Sequence, residues 1–215
     1  MPTSYRRAVT LGGSVCVIAW FTIRMMRASA PSSGAPPTPP PPIPAGASEA
    51  ALRRHYGLVA RPRFEAFEVS DGVGRMSITL PAEPQIEAQI ITDRGARTFV
   101  TAATVRDGGR VISGGVIAFA DDGPFDGMEV AETLARASET QLHGAIERDE
   151  VATLAGLPAR VVEIALPEHR RLLSWYVADA ANACGYQIAC VDRDTDDLRH
   201  ACTAIAQSLT IAPLR

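Results

Sequence analysis

The sequence predicts an α+β domain in which an antiparallel β-sheet lies between helices, giving three layers. Three observations lead there. Turn-forming residues separate several strand-like runs by hairpin-sized gaps, which implies antiparallel pairing. Two of those runs, Arg97–Val105 and Arg170–Ala178, are apolar on both faces. In the first, Phe99, Ala103 and Val105 share one side, and Val100 and Ala102 the other. A sheet wet on one side would alternate cleanly instead. Finally, two helix-like stretches lie far apart in the chain, so each can cover a different face.

The globular domain is assigned to 49–215. Ala50–Tyr56 reads as a short helix. Phe64–Val69 and Arg75–Leu80 read as a hairpin across Asp71-Gly72-Val73-Gly74, which has turn chemistry. Pro81 and Pro84 stop its second strand. Three more strands follow, Gln85–Thr92, Arg97–Val105 and Gly109–Ala120, with Asp107-Gly108-Gly109 as a hairpin turn. Asp121–Asp126 is a loop. Met128–Gln141 is the best helix of the chain, because Met128, Ala131, Leu134, Ala135, Ser138 and Leu142 form one stripe at helical spacing. Ala145–Leu154 is a strand. The stretch Leu154–Ile211 then reads as a turn at Gly156–Ala159, strands Arg160–Leu166, Arg170–Ala178 and Tyr186–Val191, a helix Asp196–Gln207, and a closing strand Ser208–Ile211.

Ahead of the domain stand a targeting segment, 1–30, and a linker, 31–48. Arg6-Arg7 precedes an uncharged apolar run from Ala8 to Ile23. As a helix that run spans roughly 24 Å, short of the roughly 30 Å of a bilayer core, and Ala28-Ser29-Ala30 fits a signal-peptidase site. These features favour a cleaved signal peptide. Arg24 and Arg27 interrupt the region before the site and Pro31 would follow the cut, which favours an uncleaved anchor whose arginines snorkel. Either way the basic front stays inside and the domain lies outside the cytoplasm. The expected address is the inner membrane with a periplasmic or extracellular domain, or secretion after cleavage. The linker contains the Pro39–Pro42 run, which favours an extended polyproline spacer reaching about 50 Å.

Among the 215 residues there is no Lys, and the formal charge is −3. Every Asp and Glu lies after position 47, so the exported part is distinctly acidic. It repels phosphate backbones, and nucleic acid is excluded as a partner.

The residues that carry chemistry elsewhere are sparse here. Cys184, Cys190 and Cys202 lie in an oxidising compartment, where a disulfide persists. Tyr186, Ile188 and Cys190 share a strand face, and Leu198, Ala201, Cys202 and Ile205 share a helix stripe. Those faces meet across a short loop, so Cys190–Cys202 is the preferred bridge; Cys184–Cys202 and buried free thiols are the alternatives. Asp192, Asp194 and Asp196 mimic the start of a calcium loop. The pattern then fails, with Asp197 in the place of the sharp-turn Gly and Thr203 in that of the bidentate Glu, and a helix N-terminus explains the carboxylates as well. His55, His143, His169 and His200 form no zinc-binding pair. Glu163 and Glu168 are the carboxylates in reach of His169, the one place that offers anything to an enzyme. Gly114-Gly115, in mid-strand, marks a bulge or close packing. Trp175 and Tyr176 are adjacent in a strand, so one is core and the other faces away. No catalytic residue, no cofactor site and no committed metal site emerges.

Met76-Ser77-Ile78-Thr79-Leu80-Pro81, Gly156-Leu157-Pro158-Ala159-Arg160-Val161-Val162-Glu163, Tyr186-Gln187-Ile188 and Ser208-Leu209-Thr210-Ile211 fall in an order and spacing that resembles the Mog1/PsbP-like domains. The resemblance covers about 64–211. It implies an α/β/α sandwich around an antiparallel sheet, in a bacterial exported member without a lipobox. It also implies binding or assembly in place of catalysis, with no shared catalytic residue. The expected function is therefore a non-enzymatic extracytoplasmic binding or assembly module with an envelope protein as partner. A periplasmic module for a small molecule or metal is the alternative, and an enzyme of unrecognised type the third.

Overall fold

Strand pairing accounts for most of the domain. The structure is a computed structural model that describes residues 47–93, 96–107, 110–119, 127–193 and 196–212. The targeting segment, the linker as far as residue 46, Gly108-Gly109, the loop 121–126 and Asp194 lie outside the described residues. In chain order the elements are α1 (Glu49–Tyr56), β1 (Val59–Arg63), β2 (Ala66–Ser70), β3 (Met76–Leu80), β4 (Gln85–Asp93), β5 (Ala96–Asp107), β6 (Arg110–Phe119), α2 (Gly127–Gln141), β7 (Ala145–Leu154), β8 (Leu157–Leu166), β9 (Arg170–Asp179), β10 (Cys184–Arg193), α3 (Asp196–Gln207) and β11 (Thr210–Ile211). The fold class is α+β with antiparallel sheets, as expected.

The strands form two sheets. Seven of them run in the order β4-β5-β6-β10-β9-β8-β7, and four in the order β1-β2-β3-β11. All pairings are antiparallel. Both faces of the large sheet are covered, which explains strands that are apolar on both sides. On one face Val100, Ile117, Val162, Ile164, Leu172 and Tyr176 pack with Ala131, Leu134 and Ala135 of α2. On the other, Phe99, Ile112, Val116, Val161, Val177 and Ile188 meet Leu198, Cys202 and Ala206 of α3, and also Val69, Met76, Ile78 and Leu80 of the small sheet. Tyr176 belongs to the first face and is buried; Trp175 faces the second and is partly buried.

Helix α1 shows how local sequence fixes an element. Ser48 caps it, its hydroxyl accepting the Ala51 N–H at 3.2 Å. Glu49 sits in the first turn, where the helix dipole favours an anion. Leu52 and Tyr56, one turn apart, are the buried positions.

Two expectations are corrected. The sequence reading placed the early hairpin and the closing strand in one sheet with the rest, whereas β2, β3 and β11 belong to the small sheet. They are joined there by β1, which the reading did not foresee because Pro62 and two arginines interrupt its pattern. Pro62 is admissible because β1 is an edge strand and no ladder needs its missing donor. The turn expected at Gly156–Ala159 is instead the two-residue Ala155-Gly156, closed by the pair Leu154↔Leu157. Both residues have positive φ, 51° and 78°, as this tight hairpin demands. Pro158 then lies within β8, just before pairing with β9 begins at Ala159↔Val177. Of the two readings of Gly114-Gly115, close packing holds and a bulge does not: β6 pairs in unbroken register with β5 and β10. A Cβ on Gly115 would stand 2.6 Å from the Thr101 carbonyl oxygen, and one on Gly114 3.2 Å from Ile78 Cδ1.

Candidate functional site

The main polar cluster lies where α1, the β2–β3 turn and the β9–β10 connection meet. The Asp71–Gly74 turn builds it. Asp71 Oδ1 accepts the Arg75 N–H at 2.7 Å, and the Asp71 N–H donates to the Met76 carbonyl at 3.1 Å. Arg75 is thereby aimed at the end of β9, where Nη2 donates to Asp179 Oδ2 at 2.5 Å and to Tyr186 Oη at 3.0 Å. Asn182 Nδ2 donates to the same Asp179 oxygen at 2.7 Å. The Cys184 thiol donates to Tyr186 Oη at 3.5 Å. Asp179, Asn182, Cys184 and Tyr186 are all buried. His55 Nε2, Arg75 Nε and Asn182 Oδ1 are buried with no hydrogen-bond partner among the described residues.

The electrostatics favour neutral forms. Burial lowers the His55 pKa; Asp71 opposes this and Arg75 reinforces it. Burial also pushes the Cys184 thiol up to about 12, so it is a protonated thiol at neutral pH and no nucleophile. Tyr56 and Tyr186 are raised by the same cause. Asp179 is committed to Arg75 and Asn182. The cluster therefore holds α1 and the small sheet to the large one. Among the described residues it offers no base facing a cleft.

A second cluster lies under α3. Glu163, only 2% exposed, projects from β8. It accepts from Arg171 Nη1 of β9 at 2.5 Å and from Arg199 Nη2 of α3 at 2.8 Å. Arg171 also donates to Glu147 of β7 at 2.6 Å. Burial alone would raise the Glu163 pKa; the hydrogen bonds from Arg199 and Arg171 outweigh it and hold the carboxyl below its usual range. Glu163 is thus engaged by two arginines. His169 stands apart from that pairing, exposed in the Pro167–His169 turn between β8 and β9. His143 and His200 are exposed at separate places, after α2 and on α3.

The aspartate pattern is dispersed. Asp192 Oδ2 accepts from Arg110 Nε at 2.7 Å and Asp192 Oδ1 from the Arg193 N–H at 2.7 Å. Burial opposes its ionisation, but those bonds prevail and keep the carboxyl low. Asp194 and the Asp196 side chain lie outside the described residues; α3 begins at Asp196, where a helix N-terminus was expected. Among the described residues no three His, Cys, Asp or Glu side chains are grouped to hold a metal.

Cys190 and Cys202 form the expected disulfide between β10 and α3, with Cα atoms 5.8 Å apart, and Cys184 is free and buried.

One residue that the sequence reading treated as the start of a strand is conspicuous. Phe64 sits at the tip of the β1–β2 hairpin, beyond the closing pair Arg63↔Ala66. Its φ is 43° and its exposure 103%. The signal in the sequence was Pro62 and the alternating arginines before it, which mark an edge strand ending in a turn.

No family model matches the chain, and no curated protein matches its sequence. Solved structures do. The cyanobacterial PsbP protein of Synechocystis sp. PCC 6803 is 11% identical, with a TM-score of 0.49 over 70% of this chain and 94% of that one. A Pseudomonas aeruginosa protein of unknown function, PA94, is 11% identical, with a TM-score of 0.38 over 73% and 99%. LpqN of Mycobacterium tuberculosis, described as involved in cell envelope biogenesis, is 16% identical, with a TM-score of 0.37 over 62% and 86%. A PsbP protein, of the family that the motifs resemble, is among them, at a TM-score below 0.5. At these identities the likeness says nothing of activity, ligand or partner.

Proposed function

We propose that the chain is a non-enzymatic extracytoplasmic binding or assembly module, held at the inner membrane by residues 8–23 or secreted past it, with an envelope protein as partner. The observation that carries this reading is Phe64. A left-handed conformation costs a non-glycine residue about 1–2 kcal/mol, and the ring is fully in water besides. The two-residue turn Phe64-Glu65 demands the positive φ. A phenylalanine is a costly residue to supply it, however, and its exposed ring does nothing for the isolated fold. Both fit an aromatic anchor that a partner's pocket covers, since a few such residues dominate binding energy at interfaces.

Three further features support the reading. Glu163, Asp179 and Asp192 are each engaged by an arginine and Cys184 is protonated, so these groups act as structural ties. The Cys190–Cys202 bond suits an oxidising compartment outside the cytoplasm. The excess of carboxylates after position 47 disfavours nucleic acid.

The test is a photo-crosslinking amino acid at position 64 of the full chain in its native host, with Val151, 75% exposed on β7, as the control position. A discrete adduct from position 64 that is absent from position 151 is expected. No adduct, or the same adducts from both positions, overturns the reading.

A further inference from the structure

The sheet edges are not treated alike. β1 carries Pro62 together with Arg61 and Arg63, and β11 is only Thr210–Ile211. β7 has a register shift between Ile146 and Arg148 and the charged run Glu147-Arg148-Asp149-Glu150. Proline, brevity, a bulge and charge are the devices that keep an edge from pairing with another chain. The fourth edge, β4, is nine residues long with no proline and no register shift, and its charges are Glu87 and Asp93. It pairs with β5 without a break from Gln85↔Thr104 to Asp93↔Ala96, and it contains neither proline nor glycine. Ile86 is 37% exposed, and Ala88 and Ile90 are partly buried where the core face reaches this edge.

The direction of the free backbone groups follows from one contact. Thr101 Oγ1 of β5 donates to the Glu87 carbonyl at 3.1 Å, so Glu87 turns its backbone groups toward β5. In an antiparallel strand successive residues turn to opposite sides. The N–H and C=O groups of Ile86, Ala88 and Ile90 therefore point away from β5, and among the described residues no strand pairs with them.

We propose that β4 pairs antiparallel with β4 of a second copy of this chain, about a two-fold axis at Ala88, joining two seven-stranded sheets into one. The strand's own sequence selects that occupant. Centring the axis on Ala88 sets Ala88 against the partner's Ala88 with their outward backbone groups facing, which is a hydrogen-bonded pair. The same register sets Ile86 against the partner's Ile90, which continues the apolar face across the junction. It sets Glu87 against the partner's Gln89, so each carboxylate meets a neutral amide and not its own copy. Such an interface is isologous and closes at two subunits. It lies on the large sheet, apart from Phe64 on the small one.

Sedimentation equilibrium of the full chain in density-matched detergent, with hydrogen exchange of the β4 amides, tests the proposal. Wild type is expected to sediment at twice the chain mass with the Ile86, Ala88 and Ile90 amides protected. Ala88→Pro removes an outward N–H that β5 does not use, and Ile86→Glu places a charge on the junction; both are expected to sediment as monomers with those amides exchanging freely. If Ala88→Pro fails to fold, Ile86→Glu decides alone. Phe64→Asn is expected to dimerise like wild type, so failure here is distinct from failure of the partner reading. A monomeric wild type overturns the proposal, as does a dimer that survives the folded variants. Protected β4 amides in a monomer overturn it as well, since the chain's own residues before position 47 would then occupy the edge.

Discussion

Phe64 occupies a conformation that suits glycine or asparagine, and its ring touches water on all sides. Replacing it by Asn should therefore stabilise the folded chain by about 1 kcal/mol while removing the adduct-forming anchor. Urea unfolding measures this, and a loss of stability would show that the ring packs on the protein after all. The opposite situation holds at Gly115, where the Thr101 carbonyl leaves no room for a Cβ. Sequence reading narrowed Gly114-Gly115 to a bulge or close packing because glycine in mid-strand has few other uses. It passed over Phe64 because an aromatic at a strand end is ordinary, and only the fold shows a positive φ joined to a fully exposed ring.

At the scale of elements, the best-read parts are those whose pattern is local. β7 and α3 fall at the predicted residues, because their periodicity and end signals lie within each segment. The pairing of Cys190 with Cys202 was legible for the same reason: strand alternation and the helix stripe each fix which way a side chain points. That bond closes a sequence separation of 12 and ties α3 to β10. The double variant Cys190→Ala/Cys202→Ala should lose about 3 kcal/mol of stability. Thermal melting of wild type under reducing conditions should approach that of the variant, and a variant melting like unreduced wild type would refute the assignment. β1 was missed because Pro62 and the arginines erase its alternation, and it is a strand only because β2 supplies the ladder.

Across the whole molecule, charges buried between elements tie the layers together. Glu163 joins β8 to β9 and α3, and its carboxyl is held below its usual range. A depressed folded-state pKa gives stability that is present above the unfolded-state value, about 4.3, and is lost as pH falls through the folded value. Glu163→Gln should therefore cost about 3 kcal/mol at pH 7 by leaving Arg171 underpaired, and the gap to wild type should close as pH drops below about 4. Denaturation measured across that range checks it; a gap independent of pH would mean that packing and not charge is responsible. By itself the sequence determined the α+β class, the elements other than β1, the burial of both sheet faces and the disulfide, since each follows from periodicity within a segment or from two neighbouring segments. Tertiary structure decided the division into two sheets, the exposure of Phe64, the place of β4 at a sheet edge and the partners of the buried charges. Arg75 meets Asp179 across 104 positions of chain. Nothing in the local pattern of either residue encodes the other, because a charge becomes buried and paired only once distant elements have packed.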